Sequence, residues 1–287
     1  MKTKAAFKLA ALAAAGCVAM PAFAAGTWDF SVCNGSTVSA GTSAGSQTGA
    51  NAVGNSYACA ANGSTTRDLT VSAWGAISTS NNTYGTAFLA GQGTDGFGVG
   101  SQSEGGASTT GNNLALDNDP TTLAPNIILL KFSSAVILDK VMLGWTMNDA
   151  DLTVMAYTGG GTPTTFLAGK TAGNLTTGGA AAGWSLVQNV GDAAPDSPTG
   201  TDGTNRNYGI NGGGVASAYW LISAYSSSFG GGTLDTLVDY AKLLAVSTRD
   251  AAAAVPEPAS AALAGMALLA LWATRRRLPS TTALRRR

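Results

Sequence analysis

The chain has 287 residues, of which 38 are glycine, 11% are charged and none is histidine; its 16 Lys and Arg balance its 16 Asp and Glu. Without histidine, Ser-His-Asp and Cys-His catalysis and His-ligated zinc are excluded. The neutral total hides a segregation: residues 25–258 hold seven cations against all sixteen carboxylates, a net charge of −9, which argues against a nucleic-acid-binding surface.

The chain opens with Lys2, Lys4 and Lys8, an apolar run from Leu9 to Met20, then Pro21 and Ala22-Phe23-Ala24. Cationic, apolar and small-residue segments in that order are the layout of a secretory signal peptide, here residues 1–24, with cleavage by signal peptidase expected after Ala24. An N-terminal anchor is the rival, but the apolar run is short against the ~20 residues that span a bilayer. Lipidation at Cys17 is a second rival, opposed by Ala14 at a position where a larger aliphatic residue is usual.

Residues 25–250 form the expected exported domain. Its two cysteines, Cys33 and Cys59, are expected to form a disulfide in an oxidising compartment, contributing roughly 3.5 kcal/mol by loop closure. Between them lies a segment almost wholly of Gly, Ser, Thr, Ala and Asn, with little to bury.

Further along, turn-rich stretches alternate with short runs rich in β-branched and aromatic residues. Strands are predicted at Thr27 to Cys33, Asp68 to Trp74, Ile127 to Ser133, Val136 to Trp145, Leu152 to Thr158, Trp184 to Val190, Ser217 to Tyr225 and Tyr240 to Ser247. No sustained helical periodicity appears between 25 and 250. Glycine clusters such as Gly212-Gly213-Gly214 and Gly230-Gly231-Gly232 suit tight turns. No fixed-length repeat is evident, which argues against a β-solenoid. The expected fold is all-β, a β-sandwich of jelly-roll type.

The domain ends in Ala251 to Ala254 and Val255-Pro256-Glu257-Pro258, a linker (251–258) whose prolines deny backbone donors and keep it extended. Residues 259–274, nearly all Ala, Leu, Gly and Met, form an expected short transmembrane helix. At ~24 Å it spans a ~30 Å hydrocarbon core only marginally. Arg275, Arg276 and Arg277 open a basic tail (275–287) that resists translocation and holds the C-terminus on the cytoplasmic side. The result is a transient inner-membrane intermediate.

These three parts, over Val255 to about Arg277, resemble the PEP-CTERM sorting signal. The resemblance implies recognition by an exosortase, removal of helix and tail, and delivery to the cell surface or extracellular matrix of a Gram-negative bacterium. Ten residues beyond the arginine cluster, Leu278 to Arg287, depart from the usual pattern. A single-span anchor that is never cut is the rival. The stretches Ile127 to Phe132, Val136 to Trp145, Asp149 to Gly159, Ser217 to Tyr225 and Asp239 to Ser247 resemble the exosortase-dependent surface proteins over roughly 114 to 277. That family supplies a location and no catalytic residues.

The central stretch is also similar to jelly-roll carbohydrate-binding modules. A binding reading uses Trp145, Tyr219, Trp220 and Tyr225 as faces for sugar rings, and places a structural calcium among Asp117, Asp119, Asp149 and Asp151, hard oxygen ligands that suit that ion. Against it, strand aromatics are more often core than platform, and loop aspartates more often cap turns than bind metal. The expected function is structural or adhesive and not enzymatic, needing no cofactor, in the surface or biofilm matrix. A module binding exopolysaccharide is the alternative. An ice-binding protein and a carboxylate-dependent glycoside hydrolase are minor ones, the latter opposed by a domain with the single glutamate Glu104 before the tag.

Overall fold

The computed structural model describes residues 25–33, 36–39, 54–105, 114–120, 123–160, 167–177, 183–191, 206–232, 234–235 and 237–249. They lie within a unit spanning Ala22–Ala251. The signal peptide with Ala24 and Cys17, the motif Val255 to Pro258, the helix 259–274 and Arg275 to Arg277 lie outside the described residues. Among the described residues, no helix is long and apolar enough to cross a membrane.

The strands are β1 (Gly26–Asp29), β2 (Ser36–Ser39), β3 (Ser56–Cys59), β4 (Leu69–Ser78), β5 (Asn81–Thr86), β6 (Phe88–Gly91), β7 (Phe97–Gly100) and β8 (Leu116–Asp117). There follow β9 (Ile127–Asn148), β10 (Leu152–Tyr157), helix α1 (Ala172–Thr177), β11 (Trp184–Val190), β12 (Arg206–Gly209), β13 (Ser217–Ala224) and β14 (Asp239–Arg249). They join into one 14-stranded antiparallel sheet.

The 22-residue β9 is what makes it one sheet. Two strands were expected here, separated at Ser134-Ala135; the structure has one, because that pair contains no Gly or Pro to end the extended backbone. Its first part, Ile127 to Val136, pairs with β4 and β13, and the order across this half is β2-β3-β4-β9-β13-β10-β11. Its second part, Ile137 to Asn148, pairs with β14, and β12 lies against Lys140 to Leu143. β1, β7 and β8 add to β14.

Alternation explains the core. Leu69, Val71 and Ala73 of β4, Ile128 and Leu130 of β9, Leu152 and Val154 of β10, and Trp220 and Ile222 of β13 point into one cluster. From the other half come Leu138, Val141 and Leu143 of β9 with Leu243 and Val246 of β14. The two halves of the sheet thus enclose a common core.

The intervening residues of the first half, Trp74, Ile127, Leu129, Met155, Tyr157 and Leu221, bury the opposite face under Leu167, Ala172, Leu175 and Phe229. This second cover is why β10 is buried at all six positions and why Ile127 to Leu130 reads as an unbroken apolar run. It is tied down by the Tyr84 amide donating to Lys170 O at 2.7 Å and the Gly169 amide donating to Tyr84 O at 2.8 Å. The six-residue α1 within this cover is too short to register as a periodicity in sequence.

Cys33 and Cys59 form the expected disulfide, their Cα atoms 5.7 Å apart.

Candidate functional site

The connection from β9 to β10 is only Asp149-Ala150-Asp151. Asp239 begins β14 and shares the inward face of that strand with Ala241 and Leu243, so period-two alternation carries a carboxylate into the interior. Asp149, Asp151 and Asp239 are 1%, 2% and 1% exposed, and one carboxylate oxygen from each lies within 4.8 Å of the other two.

The backbone around the three is closely held. Asp239 Oδ1 accepts from the Asp151 amide at 2.7 Å, and Oδ2 accepts from Asn118 Nδ2, which also donates to Tyr225 O at 3.0 Å. In return the Asp239 amide donates to Asn118 Oδ1 at 2.9 Å. Asp149 Oδ1 accepts from the Ala150 amide at 2.8 Å, while its Oδ2 is buried with no N–H or hydroxyl donor and has the Asp235 carboxyl beside the group. The Tyr225 hydroxyl donates to Gly232 O at 2.9 Å and accepts from the Leu234 amide at 3.1 Å. That bond fixes the segment carrying Asp235, whose charge acts on both Asp149 and Asp239.

Burial, reinforced by neighbouring carboxylates, moves the acids upward: Asp239 to about 8, against the lowering effect of the Asp151 amide, and Asp149 to about 6.

Asp117 and Asp119, expected in the same calcium site as Asp149 and Asp151, occupy a neighbouring group instead. Asp117 Oδ2 accepts from Asn126 Nδ2 at 3.2 Å, and that amide also donates to Glu104 Oε2 at 3.0 Å. Glu104 Oε2 accepts as well from the Ser101 amide at 2.9 Å and the Ser101 hydroxyl. Asp119 Oδ2 accepts from the Tyr240 hydroxyl at 3.0 Å. Burial first, and then the Glu104 charge, push Asp117 well above the usual carboxylate range. Asn118 and Tyr240 lie between the two groups, and the four expected aspartates divide between them.

The aromatics do not form one platform. Trp220 is fully buried in the common core, its Nε1 donating to Ser217 O at 2.9 Å. Tyr225 is buried at the loop it fixes. Tyr219 is half-buried on the opposite face of the first half-sheet, edge-on to Tyr157 at 6.2 Å. Trp145 stands on the second half, opposite Lys242 of β14, whose Nζ lies 4.3 Å from its ring centroid and 3.3 Å from Asp95 Oδ2.

A polar cavity of about 500 Å³ opens beside the acidic groups, lined by Asn82, Asn118, Asp119, Thr171, Ser226 and Ser228 among others. Leu123, at a left-handed φ of 65°, is in its wall.

Compared with known families, residues 254–277 match the PEP-CTERM protein-sorting motif. The chain carries a PEP-CTERM sorting signal. The signal implies exosortase-dependent export and surface sorting in Gram-negative bacteria. No curated protein and no solved structure matches the chain. The PEP-CTERM signal therefore supplies a destination, and the chemistry rests on the acidic groups and the cavity beside them.

Proposed function

We propose that the exported domain of this PEP-CTERM-tagged chain is a non-catalytic structural or adhesive component of the cell surface or polysaccharide matrix, a jelly-roll-like sandwich akin to the exosortase-dependent surface proteins. Signal peptidase cuts after Ala24, and the exosortase removes the helix and tail at Val255 to Pro258. The observation that carries the reading is a sorting signal joined to a domain whose open cavity is lined by a single carboxylate, Asp119, while four other acids are withdrawn from solvent. Asp117, Asp149, Asp151 and Asp239 are each at most 2% exposed, where a hydrolase needs two carboxyls facing an open cleft.

The test uses the native host with and without its exosortase, following the mass and location of the protein, and a deletion strain scored for matrix retention and attachment. A trimmed, matrix-bound form in the wild type alone, with weakened attachment on deletion, supports the proposal. Identical products in both strains, or attachment unchanged on deletion, overturn it.

The polar cavity favours a second reading, a module for exopolysaccharide. Amides, hydroxyls and a carboxylate suit the hydroxyl groups of a glycan, and Asn82 and Ser228 are its lining residues to substitute. A glycan array that shows binding lost in Asn82→Ala supports this reading; an array without a hit refutes it.

A further inference from the structure

We propose that Asp149, Asp151 and Asp239 bind a hard divalent cation, calcium in preference to magnesium, where the β9–β10 connection meets the start of β14. The donor set is all oxygen, which suits a hard cation rather than zinc or copper. Oxygen separations within 4.8 Å correspond to about twice a calcium–oxygen distance of ~2.4 Å, so one ion can touch all three carboxylates.

A cluster of acids can exist without an ion, and a second observation distinguishes this one. Asp149 is 1% exposed, and its Oδ2 is buried with no N–H or hydroxyl donor, although Oδ1 of the same carboxylate is satisfied by the Ala150 amide; the side chain that reaches Asp149 is another carboxyl, Asp235. An unmet carboxylate oxygen in the interior is costly unless something positive reaches it. The groups whose charges act on Asp149 are the acids Asp151 and Asp235, which add to the cost and would add to the attraction for a cation.

The surrounding bonds hold the ligands in place. Asp239 is gripped by the Asp151 amide and by Asn118, and the Asp235 segment by Tyr225. A site assembled from a three-residue connection, a strand start and a tethered loop would join β9, β10 and β14 through one ion. Calcium is favoured because it accepts carboxylates and carbonyls in flexible geometry, whereas magnesium retains its waters, for which a site 1–2% exposed has little access.

The full chain, purified in detergent, is melted in chelator, in calcium and in magnesium, beside the variant Asp149→Asn. The amide keeps the bond from Ala150 and removes the charge. Wild type is expected to gain roughly 5–10 °C in saturating calcium and less in magnesium. Asp149→Asn is expected to melt in chelator at or above the wild-type temperature and to gain nothing from calcium. An unchanged wild type, an equal gain in the variant, or a larger gain in magnesium would overturn the proposal. Terbium luminescence excited through the protein's tyrosine and tryptophan gives a measurement on the wild type alone, decisive even if the variant fails to fold. One calcium-displaceable ion per chain supports the site, and no sensitised emission refutes it.

Discussion

The backbone amide of Asp151 donates to Oδ1 of Asp239 at 2.7 Å, although 88 positions separate the two residues. This bond and the reciprocal pair between Asn118 and Asp239 secure the end of the domain where three chain segments converge. Asp239→Ala removes the acceptor for two donors at once, the buried Asp151 amide and the half-buried Asn118 Nδ2. With each unmet donor costing about 1–3 kcal/mol, the expected loss is about 2–4 kcal/mol. Urea unfolding in chelator measures it, and Asp239→Asn, which keeps an oxygen for the Asp151 amide, is expected to lose less.

Trp220 and Trp145, paired in the sequence as candidate sugar platforms, are expected to separate sharply on truncation. Trp220 is fully buried with its indole N–H satisfied, so Trp220→Ala should cost about 3–5 kcal/mol through loss of core packing. Trp145 is half-buried, and its principal polar contact is the Lys242 ammonium over its ring. Trp145→Ala should cost roughly 1 kcal/mol. Denaturant melts of both variants check the contrast, and equal losses would contradict the placement of the two rings.

Much of the sheet was legible because its strands alternate or run apolar. Trp184–Val190 has the expected bounds, and Leu152–Tyr157 and Ser217–Ala224 end one residue early. The short strands β2, β3, β5, β6, β7, β8 and β12 escaped because each has six residues or fewer, too few to show an alternation, and their pairing comes from tertiary neighbours rather than side-chain pattern. The site was legible in part. Asp149 and Asp151 stand out as acids in a tight connection, whereas Asp239 reads as the polar start of a strand. Only its shared parity with Ala241 and Leu243 marks it as inward-facing, and parity does not tell which distant segment it meets. The grouping of Asp117 with Glu104 depends on contacts between separate loops, which local sequence does not encode.

Gly96 illustrates a constraint of the second half-sheet that composition alone conceals. Its φ is 88°, and a Cβ there would lie 2.2 Å from Leu243 O and 2.5 Å from Leu244 Cα, both backbone atoms of β14. Gly96→Ala therefore combines left-handed strain with a clash that side-chain rotation cannot relieve, and an expected loss of about 3 kcal/mol or more follows. Gly93, also at positive φ but with open space around its Cβ position, is the control. Gly93→Ala should cost about 1 kcal/mol, from the backbone alone. Thermal melts of the two variants distinguish the contributions.

Asp117 sets a pH dependence of opposite sense to that of a salt-bridged acid. Its carboxyl is held well above the usual range by burial, with the Glu104 charge adding to the effect. In the unfolded chain it titrates near ~3.9, so above that pH the folded state binds more protons than the unfolded one. Its contribution to stability is therefore complete below about pH 4 and is lost as pH rises towards the folded-state value. Asp117→Asn cannot ionise and lacks this loss. With chelator present, the stability of the wild type relative to Asp117→Asn is expected to fall as pH is raised above about 4, through the range between the unfolded and the raised folded-state values. Urea midpoints for the two proteins across that range measure the difference, and parallel curves would show that Asp117 is not the group responsible.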